Sequence, residues 1–249
     1  FYTPLDETVP HQFFASSMLP TPLIRGLLGW DPDAPAGRAT LAPQLPGDWE
    51  RLAVRDLWVG QTRVHAEIER SGGASHVALR SEGPPIELTY VASLPPGSAG
   101  HAVRVDGETV GVEPASSPHD VMVRVPLTLD GGEHRIQIDW TGGLEVAPPR
   151  VLLQPGQESD GLRILDFEWR DGSWRLSVEG TGGRTYRVRL FGAAVCVRQV
   201  VSAAAEGEGA MGSARVVSAD GALTEIEVDL PAGEGSRRSM TVVLEEVSS

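Results

Sequence analysis

Strict two-residue alternation of apolar and polar side chains, repeated in short runs, restricts this chain more than any other feature. Arg63-Val64-His65-Ala66-Glu67-Ile68-Glu69 alternates without a break, and so does Arg135-Ile136-Gln137-Ile138-Asp139-Trp140. A helix would scatter these apolar residues around its axis, whereas an extended strand collects them on one face. The same phase runs through Val121, Val123, Val125 and Leu127; through Trp174, Leu176 and Val178; through Tyr186, Val188 and Leu190; and through Ile226, Val228 and Leu230. Asp106-Gly107, Gly131-Gly132, Asp171-Gly172, Gly182-Gly183 and Asp220-Gly221 punctuate the runs as hairpin connections, where glycine supplies positive φ. With 29 Gly and 19 Pro among 249 residues, turns are abundant. The expected fold is therefore mainly β: one or two antiparallel β-sandwiches, each sheet buried on one face and wet on the other. A doubly wound parallel fold is excluded, because no helical pattern separates the strands.

Residues 8 to 30 follow a different period. Thr8-Val9-Pro10 suits a first helical turn, Phe13, Phe14, Ser17 and Met18 follow at helical spacing, and Pro20 and Pro22 break the helix. Thr21-Pro22 restarts it, Leu23, Leu27 and Leu28 form a second apolar stripe, and Gly29 is the natural terminator. This divides the chain into a helical segment with an exit loop at 1–38, a β-sandwich at 39–155, and a continuation or second β-domain at 156–249. Val146-Ala147-Pro148-Pro149 to Gln154-Pro155-Gly156-Gln157 is the expected internal boundary, and Ala203 to Gly212, small and acidic, the expected mobile loop.

The net charge of -13 opposes binding to DNA or an anionic membrane, and no apolar run is long enough to span a bilayer. All 21 basic residues are Arg, so Schiff-base chemistry and a phosphate loop built on Lys are excluded. Cys196 is the sole cysteine, which rules out an internal disulfide and a cysteine-rich metal site. The chain opens at Phe1 with neither an initiator Met nor a signal-peptide pattern. It reads as a soluble fragment, with the cytoplasm favoured.

Three segments in a fixed order narrow the reading: His11-Gln12-Phe13-Phe14-Ala15-Ser16-Ser17-Met18, then Leu23-Ile24-Arg25-Gly26-Leu27-Leu28-Gly29-Trp30-Asp31-Pro32-Asp33, then Pro43-Gln44-Leu45-Pro46 leading to Trp49 and Leu57-Trp58-Val59-Gly60. Over residues 2 to 70 this resembles the C-terminal region of bacterial amylo-α-1,6-glucosidase, or glycogen-debranching-type, glycoside hydrolases. The resemblance implies that residues 1–38 end a catalytic (α/α)6 barrel and that the β-sandwich follows it. Such enzymes use one carboxylate to protonate the glycosidic oxygen and another to activate water on the opposite face of the sugar. The acid is expected on an upstream barrel helix. The base normally precedes the Gln-aromatic motif by more than the eleven positions present here, so Asp6 and Glu7 are the available stand-ins, with a solvated or capping role as the alternative. By the same resemblance His11 and Gln12 face the sugar pocket; the local alternative is hydrogen bonding to amides at the helix start. Phe13 stands where the family commonly has Trp.

The function implied is that of an accessory part of a glycoside hydrolase acting on α-glucan-type oligo- or polysaccharides, supporting an upstream barrel in the same polypeptide or a separate chain. The parent would be an inverting hydrolase and this portion inactive alone. Two other classes stay open: a non-catalytic carbohydrate-binding sandwich and a structural interaction domain. No cofactor is expected, and no nucleic acid or membrane partner. His65, His76, His101, His119 and His134 lack metal-ligand spacing, and Asp31 and Asp33 read as turn residues. Trp140 and Trp174 fall on apolar phases and are expected in the core, while Trp49 and Trp58 are expected to seal the sandwich against the helical part. Ser117-Pro118-His119-Asp120 is too local to converge as a triad.

Overall fold

The computed structural model describes residues 18–147, 149, 156, 159–192, 195–202, 212–220, 222–232 and 237–247, with the side chains of 196–202 excepted. Among the described residues, a short helix with an i→i+5 bond, Pro22–Leu27, precedes the strands. The first strands are β1 (Trp30–Asp33), β2 (Arg38–Leu41), β3 (Arg51–Val59), β4 (Thr62–Ser71), β5 (Ala74–Glu82) and β6 (Ile86–Leu94). They continue with β7 (Ser98–Val105), β8 (Glu108–Val110), β9 (Ala115–Ser116), β10 (Val121–Leu129) and β11 (Glu133–Gly142). After them come β12 (Leu144–Ala147), β13 (Arg163–Arg170), β14 (Ser173–Thr181), β15 (Thr185–Gly192), β16 (Val195–Ser202), β17 (Ser213–Asp220), β18 (Leu223–Asp229) and β19 (Arg237–Glu246).

The protein is mainly β and built from antiparallel sheets, as the alternation requires. A five-stranded sheet, β1-β2-β6-β10-β9, and a six-stranded sheet, β3-β4-β5-β11-β7-β8, share one apolar core that includes Val64, Ala66, Ile68, Val123, Val125, Ile136 and Ile138. Two four-stranded sheets, β12-β15-β18-β17 and β13-β14-β19-β16, share a second core around Trp174, Leu176, Val188, Leu190, Ile226 and Val242. One pair departs from the antiparallel rule: β2 runs parallel to β6, with Arg38 opposite Glu87 and Leu41 opposite Tyr90. Two hairpins turn through consecutive positive-φ residues, Asp106 and Gly107 at +51° and +87°, and Asp171 and Gly172 at +53° and +78°. This is the twist-matched turn that Asp-Gly encodes.

Residues 30–38, expected as an exit loop, join residues 39–41, expected in the sandwich, in two short strands. They form β1 and β2 and bury Trp30, Ala39 and Leu41 in the first core. Strands of four residues, one carrying Pro32, are too short for a two-residue period to register, and Pro32 is tolerated because β1 is an edge strand. The chain passes from the first core to the second between Gly142 and Leu144, since β12 already pairs with β15. That crossing precedes the stretch from Val146 to Gln157, most of which lies outside the described residues, as do 203–211.

The second core meets the turn between β6 and β7 at a pair of tryptophans. Trp174 is wholly buried, donates its indole N–H to the Pro96 carbonyl at 2.8 Å, and lies against Trp169 with ring centroids 4.4 Å apart and tilted by 53°. Gly97 runs over both rings at φ +84°, where a Cβ would stand 3.0 Å from Trp169 and 3.1 Å from Trp174. Polar links surround this contact: Arg70–Glu145 at 2.6 Å, Arg189–Asp48 at 3.0 Å, and His119 Nδ1 to the Phe167 carbonyl at 3.2 Å. Trp174→Ala is expected to lower the unfolding free energy by about 3–5 kcal/mol, measured by urea denaturation. Trp174→Phe should cost about 1 kcal/mol for the lost hydrogen bond plus a smaller packing loss, because the Pro96 oxygen keeps the Leu144 N–H at 3.3 Å. Equal losses in the two variants would exclude ring packing as the dominant contribution.

Candidate functional site: an uncovered apolar turn and a cleft on the outer sheet face

The helical segment is anchored at its end and bare along its length. Gly29 adopts φ +60° with its α-carbon pressed against the Ala42 carbonyl, so a side chain there would collide with backbone. Gln44 N donates to Leu27 O at 2.8 Å and Ala42 N to Gly29 O at 3.0 Å, tying the helix exit to the chain beyond β2. Leu28 and Trp30 enter the first core. Before them Met18, Leu19, Leu23 and Ile24 expose 71%, 67%, 47% and 45% of their surface. Four large apolar side chains uncovered within seven residues form a patch of the kind that marks an interaction surface.

The second feature lies on the outward face of the six-stranded sheet. Its register places side chains in cross-strand rows: Trp58, Arg63 and Glu82; His65, Arg80 and Glu133; Glu67, Ala78 and Arg135; and Arg51, Glu69, His76, Gln137 and Arg104. Ala78 is the one small residue at the centre, flanked across the strands by Glu67 and Arg135 and along its own strand by His76 and Arg80. The missing side-chain volume opens a cleft of about 530 Å³ lined by Glu67, Glu69, His76, Arg104, Glu133, Arg135 and Gln137. Its charges are largely compensated. Arg51 pairs with Glu67 and reaches Glu69 at 3.7 Å, Arg104 binds Asp139 at 2.9 Å, and Arg135 binds Glu133 at 2.8 Å. Gln137 donates to both Asp139 oxygens at 3.0 Å. His76 has no hydrogen bond or ion pair among the described residues.

Asp6, Glu7, His11 and Gln12 lie outside the described residues, and the structure says nothing of their chemistry. The remaining sequence candidates separate. Trp140 and Trp174 are core residues, while Trp49 and Trp58 are 40% and 52% exposed, with the Arg63 guanidinium 6.0 Å from the Trp58 ring centre. Asp33 accepts from Ala36 N at 3.3 Å and pairs with Arg38, a turn role. Ser117 and Asp120 close a local turn, with Oγ to Oδ1 at 2.6 Å, and His119 points away to Phe167 and Asp166 across the junction. Among the described residues no cluster of three or more His, Cys, Asp and Glu is arranged to hold a metal. No helix among them is long and apolar enough to cross a membrane. The cleft is what sequence reasoning missed. Alternation identified the outward set of β4 and β11, but which outward residues become neighbours depends on pairing between strands more than fifty positions apart.

No protein-family model matches the chain, and no curated protein matches it. Solved structures similar to it include an alpha-L-rhamnosidase from Dictyoglumus thermophilum, at 12% identity and a TM-score of 0.34, with 47% of this chain and 13% of that one covered. A structure described as "Glycoside hydrolase" aligns at 14% identity and a TM-score of 0.33, covering 84% of this chain and 36% of that one. A GH127 beta-L-arabinofuranosidase from Geobacillus Stearothermophilus T6 aligns at 12% identity and a TM-score of 0.32, covering 85% and 34%. This chain thus spans about a third or less of the length of each. None of the three is described as an amylo-α-1,6-glucosidase.

The wall of the cleft next to the β7–β8 turn is pinned by a titratable bridge. His134 Nδ1 lies 2.8 Å from Asp106 and Nε2 lies 3.2 Å from Asp130, while Asp106 also accepts from Arg135 N at 2.7 Å. The Asp106 hydrogen bond holds the His134 imidazolium above its ordinary value, and the Arg135 amide, then His134, hold the Asp106 carboxyl below its own. Because the histidine is raised on folding, its contribution is full below the unfolded value of 6.5 and is lost as pH rises through the folded value. Asp106, lowered on folding, contributes above its unfolded value of 3.8 and loses that contribution as pH falls through the folded one. Thermal melting of His134→Ala is expected to show a smaller loss of stability between pH 6.5 and 8 than the parent chain. An identical pH dependence in the two proteins would exclude the bridge as its source.

Proposed function

We propose that this chain is the β-sandwich end of an α-glucan-active glycoside hydrolase, seated against a helical catalytic barrel through Met18, Leu19, Leu23 and Ile24. The observation that carries the reading is the bare apolar turn: four large side chains facing solvent immediately after the segment that resembles a barrel-closing helix, and immediately before residues locked into the first core. Burying such a surface against a partner is worth roughly 25 cal/mol per Å² of apolar area, which favours docking over exposure. The barrel would belong to the same polypeptide or to a separate chain.

Catalysis would then reside in the barrel, with this part holding its last helix and the loop that presents the base. Among the described residues, three carboxyl groups are held toward their charged form. Glu82 is held down by Arg63, Asp106 by the Arg135 amide and His134, and Asp229 by the hydroxyls of Thr185 and Ser213. A glycosidase's general acid needs the reverse, a carboxyl kept protonated near neutral pH. His11, Gln12, Asp6 and Glu7 are proposed to sit at the barrel mouth, the first two toward the sugar.

Two measurements test the proposal. The purified chain is expected to release no reducing sugar from α-1,4- or α-1,6-linked glucans; hydrolysis by this chain alone would overturn it. The quadruple change Met18→Ser, Leu19→Ser, Leu23→Ser and Ile24→Ser is expected to leave stability within about 0.5 kcal/mol per site, as for other exposed positions, while reducing binding of a hydrophobic dye and self-association. A loss of several kcal/mol would mean that the turn packs on its own sandwich and has no partner to seek.

A further inference from the structure

We propose that the cleft over Ala78 on the six-stranded sheet is a binding site for a neutral oligosaccharide. The proposal stands whether or not the apolar turn docks on a barrel, because it rests on a different face and on different residues.

The shape comes first. A depression of about 530 Å³ lies within the range of small-molecule sites, and it exists because an alanine sits where its neighbours on four sides are long and polar. Its floor, His76, Ala78 and Gln137, belongs to β5 and β11, which are central strands held on both edges. The recognition groups are therefore carried on rigid backbone, as precise sites require.

The polar inventory then selects the ligand. Around the cleft stand five carboxylates, Glu67, Glu69, Glu82, Glu133 and Asp139, and four guanidiniums, Arg51, Arg80, Arg104 and Arg135, leaving one net negative charge with each guanidinium already beside a carboxylate. An anion would find no unpaired cation, and a cation would have to displace Arg51. A flat base would find no Phe, Tyr or Trp in the lining, and an apolar ligand would strip water from the charged groups around it without replacing their hydrogen bonds. Hydroxyl groups fit what remains. A carboxylate paired through one oxygen still accepts on the other, a guanidinium has five N–H groups and spends only some of them, and the Gln137 carbonyl stays open after its amide serves Asp139. His76, without a partner, donates or accepts according to its tautomer. Acceptors and donors alternate from strand to strand at about 4.8 Å, so adjacent hydroxyls of a sugar can each meet a group of the opposite kind.

Isothermal titration of the full chain with maltotriose, isomaltotriose and cellotriose is the test, with trigalacturonic acid and inorganic phosphate as charged probes. Saturable binding of at least one neutral trisaccharide is expected. Ala78→Tyr, which fills the cleft with a strand-compatible residue and leaves every charge in place, should weaken that binding at least tenfold. His76→Ala and Gln137→Ala should each weaken it several-fold with unchanged melting temperature, so the test survives if the tyrosine variant folds poorly. No binding by any neutral trisaccharide, binding only by trigalacturonic acid or phosphate, or full binding by Ala78→Tyr and His76→Ala would each overturn the proposal. None of those results bears on the apolar turn, whose own test reads dye binding and association.

Discussion

Everything else in the architecture is referred to the contact between Trp174 and the Pro96–Gly97 turn. A wholly buried indole needs both a partner for its N–H and a surface for its faces, and here the first core supplies the carbonyl while Trp169 and the side-chain-free Gly97 supply the surfaces. Because Trp174 also belongs to the second core, it ties that core to the turn between β6 and β7. Arg70–Glu145 and Arg189–Asp48, both partly buried at that junction, add direction to what the rings hold by packing.

The outer face of the six-stranded sheet shows how the same protein avoids a hazard of strand surfaces. Residues directly opposite each other interact strongly enough that like charges in register would be destabilising. Arg51 stands opposite Glu69, and Arg63 opposite Glu82, while Ala78 stands between Glu67 and Arg135. The short side chain between those two long ones is also what hollows out the cleft. Its floor is stiff, and its wall beside the β7–β8 turn is held by a histidine bridged between two aspartates.

The apolar turn at Met18–Ile24 is the opposite case. Most other large apolar side chains among the described residues lie inside the two cores, and Leu28 and Trp30, only a few positions later, are fully committed there. Gly29 makes the switch possible, since its positive φ and missing side chain let the chain pass directly over the Ala42 carbonyl. One end of the segment is thus fixed to the sandwich while the other offers its surface outward, which is the arrangement expected of a joint.

Several features were written in local order. The two-residue period of β4, β10, β11, β14, β15 and β18 declared strands and named their buried faces, because side-chain direction in an extended chain depends only on position. Asp106-Gly107 and Asp171-Gly172 declared their turns, because only certain residues accept positive φ. Trp174 and Trp140 were legible as core from phase alone. Which strands become neighbours was not local: the parallel pairing of β2 with β6, the passage of β12 into the second core, and the meeting of Glu67, His76, Arg104 and Arg135 around Ala78 arise from the packing of whole sheets. Residues 30–38 changed from expected loop to hairpin with residues 39–41 for the same reason, since strands so short are stabilised by the sheet they join rather than by their own pattern. Sequence determined what each segment could be; only tertiary structure decided what it would face, because partners are chosen by burial across long separations.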